Sequence, residues 1–251
     1  MATRGRKAAL PSVREQVLAL GFSPVTAQRC ADLVSMGWPD PQDTVQLEPH
    51  FFVAYAAAKA RAEPFRAQVE AFGKRLHIAA TTRPGDVKNL ERIVEKYTTS
   101  LALPLDLLGA KVVVNSLDKL YEVADSVQSS FEVVAYKDRI LSPQKSGYRD
   151  VQFIVSVAGK AGTNETPHYA ELKIMHAFFD EMDAYEHRLY EIRRGLEASE
   201  KERLSLAAPA RAEARGRADL LTPIERLVYT QLSESSKALY VGTWALVQGQ
   251  K

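Results

Sequence analysis

Residues 110–138 read A-K-V-V-V-N-S-L-D-K-L-Y-E-V-A-D-S-V-Q-S-S-F-E-V-V-A-Y-K-D, and their reading decides the fold. The first seven are a short β-branched run, the pattern of a buried strand. Residues 117–131 space their apolar side chains at helical intervals, and 132–138 turn β-branched again. Further on, D-V-Q-F-I-V-S-V-A-G (150–159) alternates, setting Val151, Phe153, Val155 and Val157 on one face. K-A-G-T-N-E-T-P (160–167) is a hairpin-type loop into a fourth strand, H-Y-A-E-L-K-I-M (168–175). Strand–helix–strand followed by two strands on a short loop implies a mixed sheet with helices on one side, an α/β (α+β) fold.

Towards the N-terminus, residues 12–36 form two short helices broken by Gly21 and Pro24, and M-G-W-P-D-P-Q-D (36–43) is a turn-rich connector. Residues 50–76 are helical, with Phe52, Tyr55, Ala56, Phe65, Val69 and Phe72 as an intermittent apolar face. T-T-R-P-G-D (81–86) is a loop, and a helix over Val87–Ser100 starts from Asp86 as N-cap. Towards the C-terminus, a charged helix spans 177–195 and an Ala/Arg/Glu-rich arm spans 199–223. A last helix at 224–241 carries Leu227, Val228, Leu232, Leu239 and Tyr240. The expected organisation is a helical region at 1–64, a central domain at 65–195 and a charged helical extension at 196–251.

The chain has 251 residues, 46% of them hydrophobic and 25% charged, enough for one sizeable core. A net charge of +2 argues against a dedicated nucleic-acid binder. The one cysteine, Cys30, excludes an internal disulfide, and its helical setting reads as a small buried apolar residue. No apolar run is long enough to span a bilayer, and the basic start lacks the apolar core of a secretory signal. The cytoplasm is the expected location, with export as an effector the alternative.

Four groups of residues could carry chemistry. Lys88, Arg92 and Lys96 are spaced four apart, either a solvated stripe or a polyphosphate cradle to which Arg83 adds a bidentate donor. Asp106, just before one strand, and Glu171, within another, are acids that need a salt bridge or a cation; two carboxylates with substrate phosphates suit magnesium. S-P-Q-K-S-G-Y-R-D (142–150) puts Lys145 and Arg149 around Tyr148, which either covers the sheet edge or stacks on a base. E-H-R-L-Y-E-I-R-R (186–194) aligns His187, Tyr190 and Arg194 on one helical face. A basic pocket, two acids and an aromatic platform suit phosphoryl or pyrophosphoryl transfer from a nucleotide. No Walker-type, G-x-G-x-x-G, H-E-x-x-H or C-x-x-C motif is present.

In this order the motifs resemble the synthetase domain of the RelA/SpoT alarmone family over residues 65–195. Lys88 and Lys96 look like the family's R-x-K…K segment. D-L-L-G-A-K (106–111) is similar to D-I-x-G-x-R, and D-R-I-L-S-P (138–143) to D-Y-I-x-x-P. S-G-Y-R-D resembles N-G-Y-R-S, A-E-L-K-I (170–174) resembles the E-x-Q-I strand, and His187 and Tyr190 echo an H…Y helix. The resemblance implies a nucleotidyltransferase-like mixed sheet with helical extensions, transferring pyrophosphate from ATP to a nucleotide 3′-hydroxyl with Mg²⁺. Asp106 and Glu171 would be the catalytic and metal-binding acids. Arg83, Lys88, Arg92, Lys96 and Lys111 would hold ATP, and Lys145, Tyr148, Arg149, Gln152, His187 and Tyr190 would hold a purine acceptor.

The chain departs from the family pattern at Lys111, Asp86, Asp150, Gln152 and Lys173. Asp150 and Gln152 stand where they would read the edge of the base, so relaxed or adenine-tolerant acceptor choice is expected. None of the five histidines is followed by aspartate, which leaves out the His-Asp hydrolase of the longer members. The resemblance therefore points to a synthetase-only enzyme, or to the toxin and effector branch, where an antitoxin or immunity protein would be a partner. The amphipathic helix at 224–241 offers a face for packing on a second copy. A tRNA 3′ end is the alternative acceptor, contacted by Arg193, Arg194, Arg203, Arg211, Arg215 and Arg217. A non-catalytic nucleotide-binding protein is the third reading.

Overall fold

The computed structural model describes residues 11–91, 93, 103–158, 166–211 and 221–249. Helices α1 (Val13–Ala19) and α2 (Pro24–Ser35) precede a short 3-10 turn (Pro41–Asp43) and helix α3 (Phe51–Leu76). Strands β1 (Ala79–Val87) and β2 (Leu108–Val114), helix α4 (Leu117–Val127), and strands β3 (Glu132–Asp138), β4 (Val151–Val157) and β5 (His168–His176) follow. Helices α5 (Ala177–Arg211) and α6 (Pro223–Gly249) complete the chain.

Helix starts follow the local sequence. Ser12 and Glu15 form a capping box on α1, Ser23 caps α2 just ahead of Pro24, and the Ser116 hydroxyl accepts from Lys119 N at the head of α4. His77 closes α3 at φ 53°, and a Cβ on Gly73 would stand 2.9 Å from Ala80 Cβ. That glycine lets α3 run close beside β1.

The sheet order is β1-β2-β5-β4-β3, with β2 and β5 parallel and the other pairs antiparallel. It is a mixed sheet flanked by helices, as the sequence pattern implies. One face is apolar. Val112 pairs with Ile174, Phe153 pairs with Leu172 and Tyr136, and Phe65, Val69 and Phe72 of α3 and Leu120, Tyr121 and Val123 of α4 join them in one core. Cys30 is buried in that core. Thr26 of α2 donates to Asp118 of α4, tying the N-terminal helices to the rest of the molecule.

Several expectations are corrected. T-T-R-P-G-D is strand, not loop: Thr81 and Thr82 pair with Lys111 and Ala110, and the register then breaks before Val87 pairs with Leu108. Gly85 and Asp86 take up that irregularity at φ 78° and 63°. Asp86 is therefore no N-cap, and its carboxylate accepts from Arg66 at 3.0 Å. The cap falls to Asn89, whose Oδ1 accepts from Glu91 N at 2.8 Å. Most of the expected helix from Val87, with Arg92 and Lys96, lies outside the described residues. Strand β4 is buried along its whole length rather than on alternate residues. Phe52 and Ala56 face outward. α5 continues to Arg211, through much of the expected arm. α6 buries Ser236, Tyr240, Thr243 and Val247, leaving Leu227, Val228 and Leu239 exposed.

Candidate active site

The other face of the sheet carries a row of polar residues in register. Gln152 of β4 lies between Lys137 of β3 and Lys173 of β5, and Lys173 in turn pairs with Lys111 of β2. Glu171 shares this face two residues from Lys173 and pairs with Gly109. Glu171 is 9% exposed, accepts from Gln152 Nε2 at 2.5 Å, and has Lys173 Nζ at 3.5 Å from its Oε2. Its carboxylate holds the Lys173 ammonium above its usual value, outweighing the opposing effect of burial. A strand carboxylate is thus kept among donors, as burial requires.

Gly109 matters because it has no side chain. A Cβ there would come within 3.2 Å of Arg83 Nη2, so the Arg83 guanidinium from β1 lies across β2 at the position paired with Glu171. Arg83 Nη2 donates to the Asp106 carbonyl at 3.4 Å, and Lys88 Nζ forms an ion pair with Asp106 Oδ2. The Lys88 backbone N–H binds the Leu107 carbonyl at 2.9 Å, fixing the segment after β1 against the start of β2. Arg83, Lys88 and Asp106 therefore meet at the start of β2, beside the position paired with Glu171. Lys111 is used differently: it pairs with Asp180 at the start of α5.

The loop before β4 departs further from expectation. Asp138 at the end of β3 accepts from the N–H groups of Ile140 and Leu141 and from the hydroxyls of Tyr121 and Tyr136. A tight turn follows, with Gly147 N bonding to Gln144 O and Gly147 at φ 89°. Tyr148 is not an exposed platform. Its ring is 7% exposed and meets Tyr240 of α6 and Phe179 of α5 edge-on at 5.6 and 6.5 Å. Burial, and then the Asp150 carboxylate beside it, push the Tyr148 phenol well above its usual value. Arg149 does not point outward either: it donates to the Ile140 carbonyl, and its guanidinium lies 4.1 Å from the Trp244 ring. Lys145 alone of the three is exposed.

Asp150 and Gln152 are also enclosed. Arg139 donates to Asp150 Oδ1 at 2.7 Å and to Gln152 Oε1 at 2.6 Å, and Tyr148 donates to Asp150 Oδ2 at 3.1 Å. Both residues serve internal bonds rather than a base edge. His187 and Tyr190 stack on each other at 6.1 Å along α5, with His187 Nε2 3.1 Å from Glu191. Two of the arginines considered for RNA are engaged between helices: Arg193 with Glu186 and Ser236, and Arg203 as a fork on Glu225.

Sequence reading assigns no site role to Arg139, Tyr240 or Trp244. Arg139 had no periodic signal, and the two aromatics of α6 lie some ninety residues from the loop they cover. Among the described residues no group of three or more His, Cys, Asp or Glu side chains forms a ready metal cage. The Asp106 and Glu171 carboxylates are hard oxygen donors of the kind magnesium takes when substrate phosphates supply further oxygens, so the donor chemistry fits. Among the described residues no helix is long and apolar enough to cross a membrane.

No protein-family model matches the chain, and no curated protein matches it. Solved structures similar to it include small alarmone synthetase 1 from Bacillus subtilis bound to its product pppGpp. That match has 16% identity and a TM-score of 0.49, covering 78% of this chain and 94% of that one. A GTP pyrophosphokinase family protein from Streptococcus pneumoniae matches at 18% identity, TM-score 0.46, covering 75% and 89%. Small alarmone synthetase 2 from Bacillus subtilis matches at 18% identity, TM-score 0.44, covering 77% and 95%.

Proposed function

We propose that this chain is a synthetase-only enzyme of the RelA/SpoT type, an ATP-dependent pyrophosphokinase acting on the 3′-hydroxyl of a purine nucleotide. The observation that carries the reading is the convergence around Gly109: Glu171 beside it in register, Arg83 laid across it, and Asp106 bound to Arg83 and Lys88. Lys88, Asp106 and Glu171 are residues the ordered motifs single out, and Arg83 adds a guanidinium from outside them.

In this reading the acceptor oxygen bonds to the β-phosphorus of ATP while the bond to the α,β-bridging oxygen breaks. AMP leaves with that oxygen, and the hydroxyl proton passes to Glu171. Gln152 and Lys173 hold the Glu171 carboxylate in place. Arg83 and Lys88 bind and orient the polyphosphate, so catalysis is chiefly positioning and charge neutralisation. Asp106 and Glu171 would hold magnesium, which supplies further charge neutralisation on the phosphates.

The test is incubation with ATP, magnesium and GDP, GTP, ADP, ATP or deacylated tRNA as acceptor, with products resolved by chromatography. The expected result is AMP plus a 3′-pyrophosphorylated nucleotide, lost in Glu171→Ala. Undiminished AMP formation by that variant removes Glu171 from its role. Label arriving only in tRNA replaces the nucleotide acceptor with the RNA one.

A further inference from the structure

Glu171 lies at one end of a buried chain of polar groups. Gln152 Nε2 donates to Glu171 Oε1 at 2.5 Å, Arg139 Nη2 donates to Gln152 Oε1 at 2.6 Å, and Arg139 Nη1 donates to Asp150 Oδ1 at 2.7 Å. Tyr148 closes the chain on Asp150 Oδ2 at 3.1 Å. Gln152 is 8% exposed and Asp150 fully buried, with the Arg139 side chain at 12%.

The polarity of this chain is dictated at both ends, by the Arg139 guanidinium and by the Glu171 carboxylate, which only accepts. A guanidinium has donors and no acceptor. The Gln152 amide oxygen must therefore face Arg139, and its NH₂ group must face Glu171. Asp150 holds Arg139 in place, and the planar fork lets one guanidinium reach Asp150 and Gln152 together. Without the fork, the amide oxygen loses its donor, and the amide plane carrying the NH₂ that holds Glu171 Oε1 is free to rotate out of place.

We propose that Arg139 is a positioning residue for Glu171: by fixing the plane of the Gln152 amide it holds Glu171 Oε1 in place and leaves Oε2, which has Lys173 Nζ at 3.5 Å, facing the acceptor hydroxyl. The catalytic part of this inference rests on the pyrophosphokinase reading. The orientation of Gln152 does not.

Four variants test it: Arg139→Lys, which keeps the charge and loses the fork; Gln152→Leu; the two combined; and Arg139→Met with Asp150→Asn, which removes both charges so that neither is stranded if Arg139→Lys does not fold. Each single change should lower kcat roughly 10- to 100-fold, the range in which small misplacements of a reacting group act, with the KM for ATP held. The combined Arg139→Lys, Gln152→Leu variant should be no worse than Gln152→Leu alone, since Arg139 acts through Gln152. Additive losses, or Arg139→Lys at wild-type kcat, overturn the proposal. A second readout needs no turnover. The Gln152 side-chain amide, assigned by its disappearance in Gln152→Leu, should be exchange-protected in the wild type. It should lose protection both in Arg139→Lys and in the Arg139→Met, Asp150→Asn pair. A protected wild-type amide in a protein that transfers no pyrophosphate refutes the reaction and keeps the orientation; an amide equally protected in both variants refutes the orientation.

Discussion

Tyr240 offers the sharpest test of how the C-terminal helix belongs to the fold. Its side chain is 2% exposed, with the ring 5.6 Å from Tyr148 and stacked on Phe179 at 6.1 Å. Its hydroxyl lies 3.3 Å from Glu186 Oε2 and 3.4 Å from Asp183 Oδ1. Emptying a buried aromatic site costs about 3–5 kcal/mol. An overlapping figure of about 4–6 kcal/mol follows from about 150–250 Å² of buried aromatic surface at about 25 cal/mol per Å². The hydroxyl bonds are long, so Tyr240→Phe should cost only about 1 kcal/mol. Tyr240→Ala should thus remove about a fifth or more of a typical domain's stability of about 5–15 kcal/mol.

The assay is urea unfolding followed by tryptophan fluorescence. The two tryptophans separate the parts: Trp244 on α6 packs by Phe179 and Arg149, and Trp38 packs on Tyr136 and Phe153 at the sheet. Variants retaining one tryptophan each should unfold at the same urea concentration. A Tyr240→Ala loss below about 1 kcal/mol, or a Trp244 transition well ahead of Trp38, would refute the reasoning and make α6 a loosely docked arm. The same variant bares one side of the Tyr148 ring, so any acceptor stacking there should tighten while ATP binding stays unchanged.

Gly109→Ala should leave urea stability unchanged within about 1 kcal/mol, because the added methyl meets only the tip of Arg83. It should raise the KM for ATP; an unchanged KM removes Arg83 from the polyphosphate site. Lys88→Ala removes the Lys88–Asp106 ion pair, in which the lysine side chain is 10% exposed, and should cost about 1–3 kcal/mol in chemical denaturation. A fully stable variant would show that other groups carry that charge. Burial holds the His168 imidazole below its usual 6.5, despite the Glu48 carboxylate 2.6 Å away. The unfolded chain then binds more protons than the folded one just below that value, so stability should fall as pH drops through about 6.5. His168→Gln should flatten that slope between about pH 8 and 5.5; equal slopes in the two proteins contradict the assignment.

The β-branched runs at 110–116 and 132–138 and the amphipathic stretch between them made the central sheet legible, because strand and helix periodicities are local properties of the chain. Glu171 and Asp106 were legible for a similar reason, since carboxylates beside apolar strands stand out wherever they end up. The irregular end of β1 was not: Pro84 and Gly85 read as a loop, and only pairing with β2 makes the segment a strand. Residues 142–150 alone leave open whether Tyr148 and Arg149 are free or covered, because nothing in them records that Tyr240 and Trp244 lie over them. Likewise, Asp150 and Gln152 looked like groups for a ligand until Arg139 was placed between them. Sequence by itself determined which elements form and which residues bear charge or rings. Tertiary structure alone decided which of those groups are already satisfied by one another, because hydrogen bonds and ring contacts across a sheet and a distant helix depend on distances that no local spacing encodes.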